Sequence, residues 1–104
     1  SVNSCLLFAL DSDGRELTTI EGLAGDARAK VLSQAFVEYG AVQCGFCTPG
    51  MMVQGTHLLA TQPHPVAAAA KRAIEGNLCR CTGYQKIAQA IVAAGQALAA
   101  GDRP

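Results

Sequence analysis

Two short cysteine pairs constrain this chain more than anything else in it: Cys44-Gly45-Phe46-Cys47 and Cys79-Arg80-Cys81, with 31 residues between them. Bringing four sulfurs to one place requires the intervening chain to run out and return. The pairs therefore read as two halves of a metal or cluster site. Each pair also leads into a predicted helix start. Thr48 and Thr82 are of the type that caps helices, Pro49 suits the first helical position, and Gly45 and Gly83 let backbone approach something bulky.

Helix starts beside thiolates matter electrostatically. A two-iron two-sulfur cluster on four thiolates carries a formal charge of roughly minus two when oxidised, and one unit more when reduced. Two helix N-termini, each equivalent to about half a positive charge and rich in free N–H groups, offset it. Zinc tetrathiolate is negative too, so charge alone does not choose between them. Zinc ribbons usually repeat a two-residue spacing in both pairs, and the single-residue gap at Arg80 departs from that pattern. A structural zinc module serving as an interaction domain is the alternative. Buried or free thiols are the bland alternative, which two close pairs at helix starts argue against, and a thioredoxin-like pair at Cys44 and Cys47 lacks the strand that should precede it.

The remaining composition fits a small domain around such a group. The chain has 104 residues, 50% hydrophobic and 15% charged, with aromatics at only 5%. A core of small aliphatic side chains is thin, and a prosthetic group would compensate. Eight basic residues balance eight acidic ones, which favours neither nucleic acid nor an anionic membrane as partner. Five cysteines is an odd number for a disulfide framework. Gln89, Gly95 and Gln96 interrupt the most apolar stretch before it reaches bilayer length, and Cys5 to Leu10 lacks the basic flank of a signal peptide. These features point to the cytoplasm.

Taken in order, Val2 to Leu10 reads as a strand, Asp11 to Gly14 as a turn, and the residues to Ile20 as a second strand. A lone hairpin is marginal in water, so this one should belong to a sheet whose other strands lie upstream. Asp26 caps a predicted helix over 27 to 39, with Val31, Leu32, Ala35, Phe36 and Tyr39 on one face and Gly40 as its stop. A second helix follows the first cysteine pair, carrying Met51, Met52, Gly55, Leu58 and Leu59 inward until Pro63. Pro65 opens a third with Val66, Ala69, Ala70, Ala73 and Ile74 as its stripe, and a fourth runs from about 83 to 100 with Ile87, Ala90, Ile91, Ala94 and Leu98 inward. Helix, cysteine pair, helix thus occurs twice. The plan predicts a mainly α fold: a four-helix bundle of two helical hairpins related by a pseudo-twofold, preceded by a β-hairpin, with the cluster at one end. His57 and His64 read as solvated and the two methionines as core filler, while Arg80 should face outward.

Gln43 to Met51 and Gly76 to Tyr84 closely resemble the second iron-sulfur domain of the xanthine oxidase family of molybdenum hydroxylases. The resemblance covers nearly the whole chain and is of the small-subunit type found in bacterial aldehyde, xanthine and carbon monoxide dehydrogenases. It implies that Cys44, Cys47, Cys79 and Cys81 bind a [2Fe-2S] cluster, and that Gln43 and Cys81 contact the pterin of the molybdenum cofactor. Val2 to Leu6 resembles the end of a plant-ferredoxin-like domain, which makes Cys5 the fourth ligand of a second cluster whose other ligands lie upstream. Residues 1–22 would then be a remnant of that domain and its connector, and 23–104 the helical [2Fe-2S]-binding domain. The implied function is electron transfer from a molybdenum-pterin centre in a large subunit toward the second cluster and an FAD subunit. The chain itself would supply no catalytic acid, base or nucleophile. Some relatives are exported already folded, so a periplasmic home is the alternative to the cytoplasm.

Overall fold

The computed structural model describes residues 1–101. Four helices form the body: α1 Ala27–Glu38, α2 Thr48–Thr61, α3 Ala67–Ala73 and α4 Gln85–Ala99. Helix α1 packs on α2 and α4, and α3 packs on the same two, so the four close into a ring. The cysteine pairs occupy the α1–α2 and α3–α4 connections, at the same end of the bundle. The four helices and the placing of the cysteine pairs between them are as expected from sequence.

Local chemistry explains the helix ends. The Asp26 side chain accepts from the backbone N–H groups of Arg28 and Ala29, which satisfies two donors left free in the first turn of α1. Gly40, at φ 63°, lets the chain leave α1 through the left-handed region. Helix α3 is only seven residues long, and Val66, expected in its buried stripe, is exposed; Ala70 and Ile74 carry its packing instead.

Seven side chains fill the centre: Leu32 and Phe36 from α1, Met51 and Leu59 from α2, Ile74, and Ile87 and Ile91 from α4. Small residues let these layers close. At Gly55 a Cβ would stand 2.7 Å from the Leu32 side chain, and at Gly95 it would stand 2.8 Å from the Pro65 ring and 3.0 Å from the Pro63 carbonyl oxygen. Contacts that near are shorter than side chains tolerate, so glycine sets how closely α2 approaches α1 and how closely α4 approaches the α2–α3 connection.

The expected β-hairpin does not form. Among the described residues there is no strand; residues 1–26 follow an irregular path through 3-10 turns at Ser4–Leu6, Ala9–Ser12 and Ile20–Leu23. Leu6, Phe8 and Leu10 are exposed, and the Ser1 hydroxyl bonds Gln54 on α2. Two strands with no neighbouring sheet bury too little apolar surface to hold a ladder, so the segment takes local turns instead.

Candidate metal-cluster site

The two cysteine connections come together beside the first turn of α2. Gly50, in the first turn of α2, lies against Asn77: a Cβ at Gly50 would stand 3.1 Å from the Asn77 amide nitrogen. Gly45 at φ 84° and Gly83 at φ 70° turn the two connections into the positions their cysteines need. Cys47 immediately precedes α2, and Tyr84, at φ 69°, immediately precedes α4.

The four thiols interact as two facing pairs. Cys47 is pushed up to about 11, first by burial, then by the facing Cys79 thiol, with the adjoining Thr48 hydroxyl pulling the other way and Cys44 adding a smaller upward push. Cys79 is held down at about 7, chiefly by the Thr82 hydroxyl and then by the Thr82 backbone N–H. Cys81 is raised, first by the facing Cys44 thiol, while the backbone N–H of Cys44 opposes that shift. Cys47 and Cys79 are half-buried, and Cys44 and Cys81 are exposed.

Hydrogen bonds organise the second connection further. The Thr82 hydroxyl lies 3.0 Å from the Cys79 sulfur and accepts from the Tyr84 backbone N–H at 3.2 Å. The Tyr84 hydroxyl in turn accepts from the Cys79 backbone N–H at 3.0 Å. At the first pair, the Phe46 N–H donates to the Cys44 sulfur at 3.4 Å. Neither threonine caps a helix through its side chain, contrary to the sequence expectation; both hydroxyls adjoin cysteine sulfurs. A threonine directly after each pair was the available signal, and its chemistry toward sulfur was the part missed.

This donor set fits a binuclear cluster. A single ion requires its sulfurs about 2.3 Å from one point. Two facing thiol pairs instead offer two ligands to each of two irons, with N–H groups aimed at sulfurs to balance the charge. Gln43 is exposed beside Cys44, whose N–H faces Cys81, so Gln43 and Cys81 share the outer edge of the site. Arg80 is exposed, as expected. Cys5 sits exposed on the first 3-10 turn and is not among the groups that perturb Cys47, Cys79 or Cys81. His57 and His64 are exposed and lie outside the site.

A four-helix bundle with four thiols gathered at the connections of one end defines a small iron-sulfur domain. The chain belongs to the [2Fe-2S] binding domain family, whose pattern matches residues 19–92. It is 45% identical over 92 residues to the nicotine 6-hydroxylase small subunit of Paenarthrobacter nicotinovorans, covering 88% of this chain and 55% of that one. It is 46% identical over 90 residues to the nicotinate dehydrogenase small FeS subunit of Eubacterium barkeri, covering 86% and 57%. The crystal structure of quinoline 2-oxidoreductase from Pseudomonas putida 86 superposes with a TM-score of 0.81 at 38% identity, over 96% of this chain and 63% of that one. The chain thus spans just over half the length of these curated relatives.

Proposed function

We propose that this chain is the electron-relay part of a molybdenum hydroxylase, with Cys44, Cys47, Cys79 and Cys81 as the four ligands of its [2Fe-2S] cluster. The observation that carries the reading is the meeting of the two pairs, Cys47 facing Cys79 and Cys44 facing Cys81, at one end of the bundle. A [2Fe-2S] cluster held there would supply one-electron redox chemistry. The four cysteines would hold it, with the half-buried Cys47 and Cys79 away from solvent and the exposed Cys44 and Cys81 toward it.

The open side is where a donor would dock. Gln43 and Cys81 sit on it and are assigned to the pterin of a large molybdenum subunit. Phe46 and Leu78, 94% and 85% exposed, adjoin the ligands, and large apolar side chains at such a place suit a protein interface. Residues 1–22 are assigned to a ferredoxin-like domain and connector, with Cys5 as ligand of its cluster and an FAD subunit beyond. Residues 23–104 form the relay domain, whose last three positions lie outside the described residues. No helix among the described residues is long and apolar enough to cross a membrane. We assign the assembly to the cytoplasm.

Anaerobic loading with iron and sulfide tests the reading. The expected product has visible charge-transfer absorption and a paramagnetic signal that appears on reduction with dithionite. A colourless chain holding one zinc, unchanged by dithionite, would establish the zinc module instead.

A further inference from the structure

The site contains two hydroxyls that adjoin cysteine sulfurs. Thr82 Oγ1 already accepts from the Tyr84 N–H, so its own proton is free, and the Cys79 sulfur lies 3.0 Å away. A thiolate has no proton to give, which fixes the direction: Thr82 donates and Cys79 accepts. Thr48 Oγ1 is buried, and although it adjoins the Cys47 sulfur it makes no hydrogen bond of full geometry in the iron-free chain. A buried hydroxyl left unpaired is destabilising, and thiols are weak acceptors. The sulfur of the preceding residue, Cys47, becomes a strong acceptor once it is a thiolate ligand.

Both hydroxyls therefore serve one facing pair, the half-buried Cys47 and Cys79, where water competes least. Resting on the cluster assignment above, we propose that Thr48 and Thr82 are potential-setting residues that donate O–H···S hydrogen bonds to the Cys47 and Cys79 ligands and so favour the reduced state. The step involved is uptake of one electron from a reductant, with no bond made or broken in the protein and no proton moved. The extra negative charge spreads onto the sulfurs, and a donor aimed at them binds the reduced form more tightly than the oxidised one. Tyr84 and the Thr82 backbone hold the second hydroxyl in place. They are positioning groups.

The test uses the full chain loaded with iron and sulfide, as wild type and as Thr82→Val, Thr82→Ser, Thr48→Val and Thr48→Ser, titrated with dithionite and read by paramagnetic resonance. Each valine variant should lower the reduced-to-oxidised ratio at a fixed potential about tenfold, equivalent to ~59 mV for one electron. Each serine variant, which keeps the hydroxyl, should stay within about twofold of wild type. Should valine at either position prevent assembly, alanine is read in its place against serine. Valine or alanine variants that assemble with an unshifted potential, or serine variants that shift as far as valine, overturn this inference alone. A wild-type chain that takes up no iron overturns the cluster assignment and this inference with it.

Discussion

The Tyr84 hydroxyl accepts a hydrogen bond from the Cys79 backbone N–H at 3.0 Å, while the Tyr84 backbone itself occupies the left-handed region at φ 69°. No other described non-glycine residue has a positive φ. A conformation that costs about 1–3 kcal/mol is tolerated here because it closes the second cysteine connection on itself and starts α4 directly after it. Removing only the hydroxyl keeps the strain and loses the bond. Tyr84→Phe is expected to destabilise the chain by about 1 kcal/mol, read as a lower urea midpoint with unchanged slope.

The ligand assignment separates the five cysteines sharply. Serine at Cys44, Cys47, Cys79 or Cys81 should abolish or cripple cluster binding, measured as iron per chain and visible absorbance. Serine at Cys5, exposed on its 3-10 turn, should leave both at the wild-type level. Loss of this cluster on Cys5→Ser would refute the assignment.

Thiol reactivity in the iron-free chain follows the local hydrogen bonds. Cys79, held at about 7 by Thr82, is mostly thiolate at about pH 8, whereas Cys47, pushed up to about 11 by burial and Cys79, is almost wholly thiol. Iodoacetamide should therefore modify Cys79 well before Cys47. Between about pH 8 and pH 6 the Cys79 thiolate fraction, and with it the rate, should fall about tenfold. Peptide mapping of timed samples provides the check.

Two glycines in the core should respond differently to a methyl group. Alanine gains about 1 kcal/mol over glycine in helix propensity, and overpacking costs about 1–3 kcal/mol. At Gly55 the obstruction is the end of the Leu32 side chain, which can rotate away in part. At Gly95 it is the Pro65 ring and the Pro63 carbonyl, which cannot. Gly95→Ala should lower the unfolding free energy by about 2 kcal/mol, and Gly55→Ala by less. Equal effects in urea unfolding would contradict the packing argument.

Much of this molecule is legible along the chain. Asp26, Gly40 and the spacing of Leu32, Phe36, Ile87 and Ile91 mark helix ends and buried faces because caps and helical periodicity act over only a few residues. The spacing of Cys44, Cys47, Cys79 and Cys81 likewise announces a sulfur-ligated centre. The β-hairpin expected over residues 2–20 does not form, because a run of apolar residues specifies a strand only when a sheet lies beside it, and there is none here.

The sequence alone determined the helix count, the four candidate ligands and their distribution over two connections, since each depends on local residue type and spacing. Only the tertiary structure decided which thiol faces which, that Gly50 meets Asn77, and that Thr48 and Thr82 adjoin sulfurs instead of capping helices. Those relations join residues about thirty positions apart or depend on side-chain direction, and both are fixed by how the helices pack.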